Sequence, residues 1–126
     1  MKNQFILSLL FTILIGVFSI EASDKPIQMH KKGTTHNNHS GTPITPADMP
    51  SVYYDDVSQE IIIDGNGYSA YYDVDIVSES TLLTLLSANV DGDYDTIDVS
   101  SLPDDNYTIV ITSSNNNEYT GQFTNY

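Results

Sequence analysis

From Ser51 onward the chain alternates short runs of Val, Ile, Tyr, Thr and Leu with clusters of Asp, Asn, Gly and Ser. Runs of this length, punctuated by turn residues, predict strands rather than helices. The candidates are residues 52–54, 59–63, 70–77, 82–86, 96–99, 107–112 and 118–123. Only around residues 80–88, where LLTLLSA could make two helical turns, does a helix compete, and the β context favours a strand there. Between the runs, Asp64-Gly65-Asn66-Gly67, residues 89–93, Asp104-Asp105-Asn106 and Asn115-Asn116-Asn117 supply residues that turn readily. The expected fold is all-β, an immunoglobulin-like or fibronectin-like antiparallel sandwich of about seven strands.

Alternation also assigns faces. In YTIVIT, Tyr107, Ile109 and Ile111 share one side, and in YYDVDIV, Tyr72, Val74 and Ile76 do. The carboxylates at Asp73 and Asp75 are costly to bury, so the apolar trio should face inward. Tyr54, Ile61, Ile63, Leu83, Leu85, Ile97, Val99, Leu102, Tyr119 and Phe123 complete the expected interior.

The amino terminus has a different texture. Lys2 precedes the apolar run 5–18, and small residues follow at Ser19, Ala22 and Ser23. This reads as a secretory signal peptide over residues 1–22, cleaved after Ser19 or Ala22, with no membrane span left after its removal. Residues 23–50 carry Pro, Gly, Ser, Thr, Asn and His without apolar periodicity and read as a flexible polar tail. A short apolar island at residues 26–29 could add an edge strand. The sandwich domain is then 51–126, and the expected location is secreted, or periplasmic and associated with the cell envelope.

Charge removes several functions. The 126-residue chain has 17 acidic side chains and four lysines, all at position 32 or earlier, and a formal charge of −13. Fifteen of the acids lie from Gly33 onward, where there is no lysine or arginine. Nucleic acid is excluded, because neutralising phosphates requires clustered basic side chains. No cysteine is present, so neither disulfides nor thiol catalysis are available.

The run DTIDVSSLPDDNYTIVITSSNNNEYTGQF, residues 95–123, resembles the end of the small exported immunoglobulin-like proteins of Bacteroidetes grouped as domain of unknown function 3244. The likeness rests on Leu102-Pro103, on Tyr107 opening the penultimate strand, and on the return through Tyr119, Gly121 and Phe123. Two departures stand out: Thr120 separates Tyr119 from Gly121, and Asp104-Asp105-Asn106 lacks the glycine usual in that turn. The resemblance implies an exported sandwich in which these residues are structural. It implies no chemistry, since the family has no established activity.

No enzyme is expected. The sandwich region has no histidine to shuttle a proton, no phosphate-binding lysine, and carboxylates whose number alone defines no cleft. His30, His36 and His39 could ligate a transition metal, but they sit in the polar segment without cysteine partners, so solvated side chains are the simpler reading. Asp91, Asp93 and Asp95 have the D-x-D-x-D opening of a calcium loop, but Thr96 and Leu102 stand where its glycine and glutamate belong. Weak calcium binding would need help from Asp64, Asn66 or Asp104-Asp105; no other cofactor is implied. Tyr53, Tyr68, Tyr71 and Tyr94 are the candidate partner-binding residues, since a tyrosine joins an apolar ring to a polar end. Two roles remain: a binding or adhesion module for a protein or glycan, and an assembly component of an envelope complex or fibre that self-associates through its tail or an open sheet edge.

Overall fold

A computed structural model describes residues 24–32 and 47–126. Its elements are β1 (Asp24–Ile27), β2 (His30–Lys31), β3 (Ser51–Asp55), β4 (Glu60–Asp64), β5 (Tyr71–Ser78), β6 (Thr84–Asp91), β7 (Tyr94–Asp98), β8 (Asp105–Ser113) and β9 (Glu118–Asn125). They form two antiparallel sheets, ordered β1-β3-β4-β7 and β2-β9-β8-β5-β6. No helix occurs among the described residues. Residues 1–23, which include the segment read as a signal peptide, and residues 33–46 lie outside the described residues.

Two of the nine strands come from the segment read as a tail. β1 pairs with β3, and after Gln28 and Met29 the chain changes sheets, so that β2 pairs with β9 at Thr120 and Tyr119. Ile27 and Met29 are buried in the core at this crossing. Gly121 is what lets the crossing lie flat. A Cβ there would stand 2.6 Å from Met29 Sδ and 2.7 Å from Ile27 Cγ2, closer than real side chains approach.

Alternation does fix the core faces of the long strands. Tyr72, Val74 and Ile76 on β5 and Tyr107, Ile109 and Ile111 on β8 are all fully buried. Ile61 and Ile63 of β4 with Val52 and Tyr54 of β3 supply the opposing face. Phe123 stacks on Tyr107 at 5.5 Å and lies 5.3 Å from Tyr54, bridging the two sheets.

β6 departs from expectation. It starts at Thr84 rather than Leu82 and runs on to Asp91, through residues expected to turn. Leu83 and Leu85, expected inside, are 61% and 41% exposed. The cause is a register shift between Ile76 and Val77, which pairs Leu86, Ala88 and Val90 with the inward residues of β5. Four leucines in five positions carry no alternation, so the parity is set downstream by Ala88 and Val90.

Candidate functional site

At one end of the sandwich the connections 65–70, 92–93 and 114–117 converge with the segment 47–50. Gly65 donates its N–H to Asp93 O at 2.7 Å, and Gly92 donates to Ala70 O at 3.2 Å. Backbone lies directly on backbone: a Cβ on Gly65 would stand 1.8 Å from Gly92 O, and one on Gly92 1.8 Å from Ser69 O. Ser69 and Ser114 hydroxyls, 3.1 Å apart, join this pair of loops to the β8–β9 turn. Asn116 takes the left-handed conformation in that turn, φ 67°.

Asp48 anchors the whole end. It is only 4% exposed, and its carboxylate accepts hydrogen bonds from Ser113 Oγ (2.6 Å), Asn117 Nδ2 (2.9 Å), Asn115 Nδ2 (3.2 Å) and the Tyr119 hydroxyl. Its backbone oxygen accepts from the Tyr72 hydroxyl at 2.9 Å. Burial alone would push the carboxyl up, but the donors of Ser113, Tyr119, Asn117 and Asn115 outweigh it and hold the group well below the usual carboxylate range. Tyr119 is driven the other way, first by burial and then by its bond to a carboxylate that disfavours a second negative charge. Nothing local in the sequence marks Asp48, because its four donors stand 65 to 71 residues away. The one available signal is the amide-rich SSNNNEY turn, a set of donors without a basic residue.

Three of the four candidate tyrosines lie in elements that meet at this end, with Tyr71 on the outer face of the five-stranded sheet and Tyr94 on that of the four-stranded sheet. Tyr68 sits in the 65–70 connection, where its carbonyl accepts from Asn115 Nδ2 at 3.1 Å. Tyr71 opens β5 opposite Asp91, and Tyr94 opens β7 opposite Asp64. All three side chains are exposed. Tyr53 lies apart, half-buried on the outer face of the four-stranded sheet in register with Pro26 and Ile62.

Asp91, Asp93 and Asp95 share the same end in the β6–β7 turn. Asp91 Oδ1 accepts the Asp93 N–H at 2.7 Å, and Asp95 accepts the N–H groups of Asp91 and Thr96. Asp64 is in register with Tyr94 beside them, whereas Asp104 and Asp105 belong to the opposite end. His30 is exposed at a shallow groove of about 370 Å³ on the outer face of the five-stranded sheet, lined also by Gln28, Thr108, Thr120 and Gln122. His36 and His39 lie outside the described residues.

At the opposite end the buried hub is a neutral side chain, Asn125. Leu102-Pro103 forms the corner before β8, and the Tyr107 hydroxyl donates back to Pro103 O, the tyrosine-corner geometry of sandwich folds. Asn125, fully buried, accepts from the Tyr54 hydroxyl (2.5 Å) and Gln59 Nε2 (3.2 Å) and donates to Val99 O and Leu102 O (3.3 Å each). The β5–β6 hairpin also ends here. Asp105 Oδ2 accepts from the hydroxyls of Ser78 and Ser80 at 2.6 Å, and those bonds lower its carboxyl from its ordinary value. Leu82 closes the hairpin with φ 62°, a conformation a leucine adopts only at a cost of roughly 1–2 kcal/mol.

No protein-family model matches the chain, and no curated protein does. Among solved structures it is similar to a DUF3244 family protein with an immunoglobulin-like β-sandwich fold from Bacteroides vulgatus ATCC 8482. That match has a TM-score of 0.62 and 14% identity, covering 82% of this chain and 99% of the other. The immunoglobulin-like sandwich expected from the strand pattern is therefore the fold of this chain.

Proposed function

We propose that this protein is an exported, non-catalytic binding module, and that it engages a protein or glycan with the end bearing Tyr68, Tyr71 and Tyr94. The observation that carries this reading is the combination of three exposed tyrosines with a rigid support: loops packed backbone to backbone at Gly65 and Gly92 and pinned through Asp48. Exposed aromatic side chains on a preorganised frame lose little entropy on binding and bury large area. A catalytic role draws no support from residues 47–126, which have neither a proton-shuttling histidine nor a lysine, arginine or cysteine. The signal-like run at residues 5–18 supports export and a place outside the cell or in its envelope.

The test is to immobilise the protein and a Tyr68→Ala/Tyr94→Ala variant, and present both with a glycan array and with solubilised envelope from the host cells. The unaltered protein should retain a discrete ligand that the variant loses, with both melting at the same temperature. Equal retention by the two would overturn the assignment to this end. The second reading, an assembly component, is favoured by a different feature, the outer edge of β6.

A further inference from the structure

The sheet edges are not guarded alike. β1 is four residues long and carries Pro26, with Lys25 ion-paired to Asp56 at 2.8 Å, three devices that discourage strand addition. β7 is five residues long and holds Asp95 and Asp98. β6, in contrast, is eight residues long and ends the five-stranded sheet among the described residues. From Ser80 to Val90 there is no charged residue, although fifteen acids and no lysine or arginine lie from Gly33 onward. The register shift is confined to the beginning of the strand, so Leu86 to Asp91 form a regular ladder with β5. Exposed Leu82, Leu83 and Leu85 lie at its start.

We propose that β6 pairs antiparallel with β6 of a second copy of this chain, joining two five-stranded sheets across a two-fold axis. Charge decides the occupant. Over most of the surface, apposing two copies of so acidic a domain brings carboxylates together, whereas β6 presents none from Thr84 to Val90, a longer uncharged run than the segment 121–125 of β9 that β2 leaves unpaired. The antiparallel arrangement also separates the one acid at its end. Centred on Leu86, Ser87 or Ala88, it sets Asp91 against Thr81, Leu83 or Leu85 of the other copy, never against Asp91. A two-fold contact requires such self-complementarity. The leucines then cover apolar surface that a lone domain leaves in water.

Sedimentation velocity on the protein in the form recovered from its cells, from about 10 µM to about 1 mM, tests this. The coefficient should rise from monomer towards dimer with concentration, and further at about 0.5 M salt, where repulsion between the acidic domains is screened. Hydrogen exchange should show amides of residues 84–91 gaining protection in step. A Leu83→Glu/Leu85→Glu variant should melt normally and associate at least about tenfold more weakly. Tyr68→Ala should dimerise unchanged, which separates this edge from the tyrosine-bearing end. A monomer throughout the range overturns the proposal. So does undiminished association of the glutamate variant, concentration-dependent protection at residues 121–125 instead, or binding of a different protein to β6 while the chain alone stays monomeric.

Discussion

The two ends of the sandwich each bury a polar hub, and the hubs are built on opposite principles. Asp48 is a pure acceptor ringed by hydroxyl and amide donors, whereas Asn125 both accepts and donates, facing two donors and two backbone carbonyls. The two residues differ by one atom in their side-chain ends, yet neither can replace the other. A buried group is specified by the inventory of its partners: where only donors converge an anion is stable, and where carbonyls intrude it is not.

Exchanging the residues gives the sharpest test. Asn125→Asp would turn a donor towards Val99 O and Leu102 O into an oxygen, and should destabilise the fold by about 4 kcal/mol at neutral pH in urea unfolding. Asp48→Asn puts an NH2 group among the donors of Ser113, Tyr119, Asn115 and Asn117. A loss of about 3 kcal/mol is expected. Costs below about 1 kcal/mol for both would mean that the two hubs are interchangeable after all.

Paired tyrosines refine the contrast. Tyr119→Phe removes a donor to a carboxylate and should cost about 2 kcal/mol, while Tyr107→Phe removes a donor to the neutral Pro103 carbonyl and should cost about 1 kcal/mol. Equal losses would show that the charge on Asp48 adds nothing.

Acid separates the ends by window. Because the folded carboxyl of Asp48 titrates below its unfolded value of about 4, its contribution is complete above that pH and is lost as the pH falls further. The gap between the unaltered protein and Asp48→Asn should therefore be constant from pH 7 to about 4. Below that it should narrow by at most about 1.4 kcal/mol per pH unit. The penalty of Asn125→Asp should begin to shrink at higher pH, because a carboxyl buried against carbonyls takes up its proton more readily.

What the sequence made legible follows the same division. Strand alternation places Ile109, Ile111, Val74 and Ile76 without any tertiary information, and Leu102-Pro103 with Tyr107 marks the corner. Both signals are local. The exposed tyrosines at positions 68, 71 and 94 were also accessible as residue types, but their gathering at one end depends on loops that meet only in the fold. Asp48 was hidden because its partners are remote, and Leu83 and Leu85 were misplaced because the parity of β6 depends on a shift in its pairing with β5. Similarly, the apolar island at residues 26–29 hints at an edge strand, but β1 and β2 are too short to set their own register, which comes from β3 and β9.

The crossing at Gln28 and Met29 sets an order in time as well as in space. A chain made from its amino terminus produces β2 early, yet the strand β2 lies against is the last of the described strands to emerge. β2 therefore belongs to the final step of assembly although β1, just before it, can pair with β3 early, and until residues 118–125 are complete the core around Ile27 and Met29 has no floor. Long-range closure of this kind is slow. It keeps the nascent domain open until β9 has been made.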